Sequence, residues 1–325
     1  MPEPLKKSEF LVETRNLKKH FRVGRGRRLH AVDGVSVRIR HSETLGVIGE
    51  SGCGKTTFGR TVLRLYEPTS GEIFFAGEDI TKLQGSALSR VRPRMQVIFQ
   101  DPFSSLNPRM YIEDAIAEPM IVNHMYRTNK EIYARVYRVM EMVGLAERFG
   151  SCYPHEISGG LRQRVGIARA LTTNPQFIVC DEPVSSLDVS IKAQIINLLM
   201  DLQESLDLTY MFITHDLSVV RHISQAIAVM YLGQCVEMAP SKEIFHNAMH
   251  PYTQALLKAV PDPSLRRRRA GLLEEDIIRG EISNPINPKP VCRFADRCPQ
   301  RGSECEQEQS FRELAKDHFV ACCRA

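Results

Sequence analysis

One segment of the chain has the residue types and the spacing of a phosphate-binding loop. It reads Gly49-Glu50-Ser51-Gly52-Cys53-Gly54-Lys55-Thr56, followed by Thr57. It matches the pattern GxxxxGK[ST], with a strand-like apolar run before it and a helical pattern after it. Glycines allow successive backbone N–H groups to point at a phosphate, Lys55 can reach the β- and γ-phosphates, and the Thr56 hydroxyl can ligate Mg²⁺. The segment predicts a site for nucleotide phosphates, and the alternative is a chance match in a glycine-rich turn.

Two carboxylates after an apolar run supply the groups that nucleotide hydrolysis requires. The run 177–180 is followed by Asp181 and Glu182. At the carboxyl end of a buried strand, Asp181 can hold Mg²⁺ through water, and Glu182 can orient or deprotonate a water molecule next to the γ-phosphate. The alternative is an ordinary solvated strand end with two acids. Together with the phosphate loop, the pair favours a hydrolytic site.

A second candidate phosphate site lies at the start of another helical pattern. Ser158 is a good N-cap, and Gly159 and Gly160 follow it, so this helix end can also bind an anion. Two phosphate-binding helix ends in one chain suggest that the second end serves the nucleotide of a neighbouring subunit. On this segment alone, an ordinary capped helix is the simpler interpretation.

Short apolar runs alternate with helical patterns over most of the chain. Several runs have the length and the continuous apolarity of strands that are buried on both faces. They are 44–48, 95–99, 177–180, 210–214 and 226–231. Between them, apolar residues recur at steps of three and four, as in amphipathic helices. The alternation predicts an α/β domain with a mostly parallel sheet and helices on both faces.

The alternation is interrupted once and ends before the C-terminus. From about 101 to 174 the patterns are mostly helical, which predicts a helical subdomain inserted into the sheet domain. Beyond about residue 258, prolines punctuate a charged, irregular segment. We therefore expect a nucleotide-binding domain over 1–258 and a C-terminal extension over 259–325.

Composition and charge narrow the class of protein. Apolar residues make up 43% of the chain, and the formal net charge of +5 is too mild to indicate nucleic acid. The N-terminal residues lack the apolar run of a signal peptide, and no window reaches the roughly 18 apolar residues of a membrane span. We expect a cytosolic chain that meets a membrane only through a partner.

Taken together, these features resemble the ATP-binding cassette (ABC) family over about residues 10–258. The phosphate loop is similar to the Walker A motif of that family, and Ser158–Gly160 is similar to its signature motif. Asp181 and Glu182 are similar to the Walker B acid and the catalytic glutamate. The resemblance implies a P-loop NTPase core with an antiparallel β subdomain, and an ATPase whose two composite sites form between two subunits.

The resemblance assigns roles to four more residues. Gln100 looks like the Q-loop glutamine that senses the γ-phosphate, Asp188 like the D-loop acid, and His215 like the switch histidine that acts beside Glu182. Phe21 stands where the family places an aromatic ring on adenine, and core packing is its alternative role.

Two further segments resemble the ATPases of dipeptide and oligopeptide importers. Residues 100–108 are similar to the extended Q-loop of that branch, and residues 250–257 to the start of its C-terminal extension. The tail from 280 to 322 also fits. The resemblance implies import of dipeptides or oligopeptides, with nickel or glutathione as alternatives because relatives in the branch carry them. A soluble ABC ATPase that acts on nucleic acid is the more distant alternative.

The resemblance also implies ligands and partners. The expected cofactors are ATP and Mg²⁺, with Thr56, Gln100 and Asp181 at the metal. The expected partners are a second ABC ATPase subunit that is a related but different chain, two transmembrane permease subunits and an extracytoplasmic peptide-binding protein, with no nucleic acid. The chain then acts peripherally at the cytoplasmic face of the inner membrane.

The C-terminal extension carries a cluster of cysteines. Cys292, Cys298, Cys305 and Cys322 are separated by five, six and sixteen residues, which is not the CxxC pairing of common zinc sites. In a cytosolic chain, such thiols suggest metal rather than disulfides. Four thiolates can hold a [4Fe–4S] cluster, as the resemblance implies for this extension, and zinc or free thiols are the alternatives. Cys323 is the alternative fourth ligand.

Overall fold

The computed structural model of the chain describes residues 8–101, 105–259 and 285–325. Parts of the extended Q-loop (102–104) and of the tail (280–284) lie outside the described residues. The strands are β1 (Phe10–Gly24), β2 (Arg27–Arg40), β3 (Thr44–Ile48), β4 (Ser70–Phe75), β5 (Glu78–Asp79), β6 (Met95–Ile98), β7 (Phe177–Asp181), β8 (Thr209–Ile213), β9 (Ala226–Tyr231), β10 (Gln234–Pro240), β11 (Arg312–Ala315) and β12 (His318–Val320). The helices are α1 (Lys55–Val62), α2 (Gly85–Val91), α3 (Ile112–Val122), α4 (Asn129–Met142), α5 (Gly159–Leu171), α6 (Val189–Leu206), α7 (Leu217–Ile223), α8 (Ser241–Asn247) and α9 (Pro251–Lys258).

The larger sheet runs in the order β11-β12-β10-β9-β3-β8-β7-β6. Strands β9, β3, β8, β7 and β6 pair in parallel, and the antiparallel strands β10, β12 and β11 extend one edge. Every residue of β3, β7 and β8 is buried, which explains their unbroken apolar runs. The α/β fold class is confirmed, and each of the predicted runs forms a strand of this sheet.

A second, antiparallel sheet covers one face of the first. Its order is β2-β1-β4-β5, and Val12 of β1 lies between Ile39 of β2 and Phe75 of β4. Helix α1 lies between the two sheets, and its Phe58 and Val62 are fully buried in the shared apolar core. This sheet is the expected antiparallel β part of the fold.

Helices α3, α4 and α5 occupy the described part of the predicted helical subdomain. A capping box starts α4, because the Thr128 hydroxyl accepts from the Glu131 N–H while the Glu131 carboxylate accepts from the Thr128 N–H. Their apolar faces join α6 and the far face of the large sheet in a second core. In the described residues, no helix is both long and apolar enough to cross a bilayer. The domain limits at 101, 174 and 258 stay predictions.

The C-terminal residues 285–325 return to the sheet rather than forming an irregular tail throughout. Strand β12 pairs with β10, and the His318 ring lies 2.8 Å from the Glu237 carboxylate, with both side chains almost fully buried. The other edge of β12 carries β11, whose four residues are all exposed. A short, exposed strand has no alternation of apolar and polar residues, so no pattern in the sequence indicated β11.

Candidate functional site

Parallel pairing brings the predicted catalytic segments to one edge of the sheet. The phosphate loop follows β3, Glu182 follows β7 directly, and His215 follows β8. Gln100 comes shortly after β6, at the edge of the sheet. Because parallel strands run in the same direction, their carboxyl ends meet on one side, where α/β sheets bind their ligands.

These segments surround an open cleft of about 460 Å³. Its volume is within the range of small-molecule sites. The predicted site residues that line it are Phe21, residues 51–57, Gln100, Glu182 and His215. Gly49, Glu50 and Asp181 are adjacent to this lining but not part of it, and Ser158, Gly159, Gly160 and Asp188 are also outside it. The structure therefore brings most of the predicted site residues to one cleft. The exceptions are the second helix end and the D-loop acid, which lie outside the cleft lining.

The phosphate loop is folded around the side chain of its own lysine. The Lys55 ammonium group donates to the carbonyl oxygens of Gly49 and Glu50 at 2.8 and 2.9 Å, and the residue is 5% exposed. Burial raises the pKa of the nearby Cys53 thiol, which therefore stays protonated at neutral pH despite the lysine. The start of α1 then directs backbone N–H groups toward the cleft, as in other anion-binding helix ends.

Gly54 occupies a position that only glycine can fill without distortion. Its φ of 106° is left-handed, and a Cβ at this position would lie 2.0 Å from the carbonyl oxygen of Ala31. Gly52 also has a left-handed φ, of 77°, but a Cβ there would meet nothing within 4 Å. Both glycines have a left-handed φ, but only Gly54 lacks space for a side chain. Substitution of each glycine therefore distinguishes the effect of backbone strain from that of a steric clash.

The Thr56 hydroxyl and Asp181 form the candidate Mg²⁺ site. The hydroxyl donates to Asp181 Oδ1 at 2.7 Å, and the carboxylate is nearly fully buried at the end of β7. Burial raises the pKa of Asp181, opposed by the Thr56 hydrogen bond and by Arg60, whose guanidinium lies 3.6 Å from Oδ2. A hydroxyl and a carboxylate are oxygen ligands of the kind that Mg²⁺ prefers. The residues present therefore fit the ion.

Glu182 lies at the meeting point of three candidate catalytic side chains. Its Oε2 atom is 3.3 Å from Gln100 Nε2 and 3.4 Å from His215 Nδ1. The backbone of Glu182 has a φ of 49°, unusual for a side-chain-bearing residue, and its N–H donates to the Ile213 carbonyl oxygen at 2.9 Å. Strained backbone of this kind is concentrated at functional sites, because the surrounding structure must hold it. Here it turns the carboxylate toward the cleft.

Phe21 lies on β1 and lines the cleft. The ring of Tyr66 contacts its edge, with centroids 5.6 Å apart, and the Lys19 ammonium lies 5.0 Å from its centroid. The side chain is half-buried, and its stacking on a planar base stays a prediction.

The second predicted phosphate site is exposed and separate from the cleft. Ser158 caps α5, its hydroxyl accepting from the Leu161 N–H at 3.5 Å, and both Ser158 and Gly159 are exposed. Asp188 is exposed at the start of α6, next to Val189, whose surface is 84% accessible. A helix end that faces away from the nucleotide cleft of its own chain is available to a neighbouring subunit.

The extension brings its cysteine thiols together. Burial, together with the nearby thiols of Cys305, Cys322 and Cys298, raises the pKa of Cys292 to about 11. The sulfur atoms of Cys305 and Cys323 are 3.8 Å apart. A buried group of thiols fits an iron–sulfur cluster in its donor chemistry.

The thiols do not form a closed single-ion site in this structure. In the described residues, no three cysteine sulfurs lie within 4.8 Å of one another. The choice among an iron–sulfur cluster, zinc and free thiols stays a prediction.

His20, His30 and Asp33 form a compact group that sequence analysis did not find. Their ligand atoms lie within 4.8 Å of one another, as in a metal site. However, the Asp33 carboxylate already pairs with Arg293 and lies 3.6 Å from the Lys18 ammonium. Burial raises the pKa of Asp33, but the contacts with His30, Arg293 and His20 outweigh it and lower this pKa to about 2. Two permanent cations beside the carboxylate leave this group poorly suited to a metal ion.

Comparison with known proteins decides the family. The family described as "ABC transporter" matches residues 32–185, and the one described as "Oligopeptide/dipeptide transporter, C-terminal region" matches residues 236–305. The chain is 50% identical over 323 residues to the oligopeptide transport ATP-binding protein AppF of Bacillus subtilis, covering 97% of both chains. The chain belongs to the ABC transporter family. It is also 45% identical to the oligopeptide transport ATP-binding protein OppF of Salmonella typhimurium, covering 98% of both chains.

Solved ABC cassettes have the same fold. A dimeric post-hydrolysis state of the ATP-binding cassette MJ0796, bound to ADP and Pi, superposes with a TM-score of 0.65 at 29% identity, covering 71% of this chain and 98% of that one. The cassette cbiO1 of Clostridium perfringens gives 0.66 at 25% identity, covering 74% and 92%. The predicted family, its peptide-transporter branch and an ATPase coupled to transport are confirmed.

Several residues of the site have no sequence signal of their own. Arg60 and Tyr66 lie close after the phosphate loop but belong to no motif. Tyr252 and Arg297 reach Glu50 from 202 and 247 residues away. Only the folded chain brings them to the loop.

We expect Gly54→Ala to weaken ATP binding far more than Gly52→Ala. At Gly54 the added methyl group must displace the backbone at Ala31, whereas at Gly52 it costs only the left-handed strain of about 1–2 kcal/mol. ATP affinity measured by calorimetry on both variants tests the loop geometry. Equal affinities of the two variants would contradict it.

Proposed function

We propose that this chain binds and hydrolyses ATP in the cleft and thereby powers import of dipeptides and oligopeptides through a membrane permease. The observation that carries the proposal is the meeting of Gln100, Glu182 and His215 beside the phosphate loop. The relatives that match over nearly the whole chain are named as oligopeptide transport ATP-binding proteins, which supports peptide over nickel or glutathione.

In this proposal the cleft holds ATP from the base to the γ-phosphate. Phe21 stacks on adenine, the N–H groups of residues 51–57 and the Lys55 ammonium bind the phosphates, and Thr56, Gln100 and Asp181 lie around the metal position. Mg²⁺ held there would offset the negative charge of the phosphates. The 2.7 Å contact between Thr56 and Asp181 supports this assignment, since it brings two oxygens of the kind that Mg²⁺ prefers together.

Glu182 acts as the base toward the attacking water. Its carboxylate takes a proton as the water oxygen attacks the γ-phosphorus, and the bond to the oxygen of the β-phosphate breaks, which releases ADP and phosphate. Gln100 and His215, both within 3.4 Å of the carboxylate, hold it and the water in line. The left-handed backbone of Glu182 fixes the direction of that carboxylate.

The site is completed by a second ABC ATPase subunit, which we propose to be a related but different chain. The exposed Ser158–Gly160 helix end of each subunit covers the nucleotide of the other. Ser158, Gly159, Asp188 and Val189 are all exposed, so this face is open to a second subunit. ATP then joins the two subunits, and hydrolysis releases them.

A groove between β6, α3 and α5 is the proposed contact with the permease. It has a volume of about 360 Å³ and combines apolar residues such as Val97 and Val122 with the ion pair of Glu118 and Arg169. Val122 is 69% exposed and its neighbour Ile121 49%, and this pair of exposed apolar residues supports a protein partner. Two permease subunits, served by an extracytoplasmic peptide-binding protein, place the chain peripherally at the cytoplasmic face of the inner membrane.

We further propose that Cys292, Cys298, Cys305 and Cys322 hold a [4Fe–4S] cluster. The closeness of the other three thiols to Cys292, and the burial of Cys305 and Cys322, support this choice. The Arg324 N–H donates to Cys322 Sγ at 3.3 Å, and such hydrogen bonds to sulfur tune the potential of a cluster. Cys323, which contacts Cys305, is the competing fourth ligand.

Glu182→Gln is expected to abolish peptide uptake and to leave ATP trapped without cleavage. Removal of a general base lowers the rate of the chemical step by about a hundredfold or more. Uptake of a labelled oligopeptide, ATP turnover and retention of labelled ATP are measured in the transporter reconstituted with its membrane subunits. Glu204→Gln, which alters an exposed acid of α6, is the matched control.

Two results would contradict the proposed function. Full ATP turnover and uptake by the Glu182→Gln transporter would remove the assigned role of that carboxylate. If the unaltered transporter took up nickel or glutathione but no peptide, the proposed peptide substrate would be wrong.

Anaerobic purification is expected to give a coloured protein with about four iron and four sulfide ions per chain. Cys298→Ser should lose this colour and iron, because it removes one thiolate, while Cys152→Ser in the helical part should retain both. A colourless protein that carries zinc, or no metal at all, would refute the cluster.

A further inference from the structure

The C-terminal extension reaches the phosphate loop through an arginine. The Arg297 guanidinium forms two parallel hydrogen bonds with the Glu50 carboxylate, Nη1 to Oε2 at 2.8 Å and Nη2 to Oε1 at 2.9 Å. The side chains are only 8% and 22% exposed, so water screens this ion pair weakly. A planar guanidinium paired with a carboxylate in this way is the strongest common side-chain contact and also fixes direction.

The backbone of Glu50 is held as firmly as its side chain. Its N–H donates to the Tyr252 hydroxyl at 2.9 Å, and its carbonyl oxygen accepts from the Lys55 ammonium at 2.9 Å. The Tyr231 hydroxyl lies 3.3 Å from Arg297 Nη1 and completes the environment of the arginine. Glu50 thus joins the extension, the aromatic core and the catalytic lysine.

An aromatic anchor fixes the arginine in place. Phe294, three residues before Arg297, is 2% exposed and packs against the rings of Tyr231 and Tyr252, with centroids 5.3 and 5.4 Å away. Arg293, on the other side of Phe294, pairs with Asp33 and donates to the Leu232 carbonyl oxygen. The segment 293–297 is therefore held at both ends against the elements that border the cleft.

Glu50 poses an electrostatic problem for a site that binds phosphates. An acidic side chain in the loop repels a triphosphate at close range. Ser51 and Gly52 line the cleft, whereas Glu50 does not, because its carboxylate turns away to Arg297. The guanidinium both neutralises the carboxylate and holds it out of the cleft.

We propose that Arg297 is a positioning residue for ATP binding, which acts by neutralising Glu50 and holding the phosphate loop in its binding shape. This inference rests on the proposed assignment of the cleft as the ATP site. It makes the C-terminal extension a structural part of that site rather than an independent appendage. Without Arg297, a smaller fraction of the protein has the loop in its binding conformation. The negative charge of Glu50 is then uncompensated and repels the phosphates.

Arg297→Gln is therefore expected to weaken ATP binding about tenfold, through lost preorganisation and through repulsion by Glu50. The KM for ATP should rise by a similar factor while kcat changes by less than about twofold, because Arg297 is not among the residues that line the cleft. ATP affinity is measured by calorimetry on the purified full chain, and turnover in the reconstituted transporter. Arg301→Gln is the matched control, since Arg301 lies on the same extension in an exposed pair with Asp296 and should bind ATP as the unaltered chain does.

The double variant Glu50→Gln with Arg297→Gln separates positioning from a general loss of structure. Removal of the acid relieves the repulsion, so the double variant should regain affinity to within about threefold of the unaltered chain. Arg297→Lys keeps the charge but not the two parallel hydrogen bonds, so its ATP affinity should lie between those of the unaltered chain and Arg297→Gln. It also replaces Arg297→Gln in the test if that variant does not fold. Unchanged affinity in Arg297→Gln, or a double variant that binds no better than it, would overturn the proposal.

Lys55→Ala distinguishes failure of this inference from failure of the assigned site. Loss of ATP binding in Lys55→Ala, together with unchanged binding in Arg297→Gln, would overturn only the role of Arg297. Retained binding in Lys55→Ala would overturn the assignment of the cleft and the inference with it.

Discussion

The site depends on the position of one buried cation. The Lys55 ammonium lies beneath the phosphate loop and donates to the carbonyl oxygens of Gly49 and Glu50, so the loop is wrapped around it. A buried charge is unfavourable unless negative partners offset it, and carbonyl dipoles provide only part of this compensation. In the proposed function, a bound triphosphate supplies the remainder. The same lysine would then both support the loop and recognise its ligand, with the adjacent strand ends beside it.

The cassette and its C-terminal extension are joined at this loop. Glu50 directs its carbonyl oxygen to Lys55 and its carboxylate to Arg297, so one residue connects the phosphate site to the extension. Asp33 plays a similar part behind the loop, where it pairs with Arg293. The extension thus contacts the elements that border the cleft, while its β11–β12 strands continue the same sheet. Both contacts are ion pairs with little solvent exposure.

Features that depend on short segments of the sequence were predicted, whereas contacts between residues far apart in the chain were not. The phosphate loop and the carboxylates after β7 were found because glycines, lysine and acids at fixed spacing dictate local structure. The large sheet was found because strands buried on both faces leave continuous apolar runs. Arg297 and Tyr252 were not found, since each contacts Glu50 across more than half of the chain and no local pattern records such a pair. The strand β11 was missed because all its residues are exposed.

In the proposed assembly, the nucleotide in the cleft of one subunit is covered by the serine–glycine–glycine helix end of another. Hydrogen exchange of the backbone amides can be measured in the assembled transporter with and without a non-hydrolysable ATP analogue. We expect the analogue to slow exchange both in residues 51–57 and at the exposed start of α5, residues 159–162. Slower exchange in 51–57 alone, with the start of α5 unaffected in a transporter that hydrolyses ATP at its full rate, would contradict it.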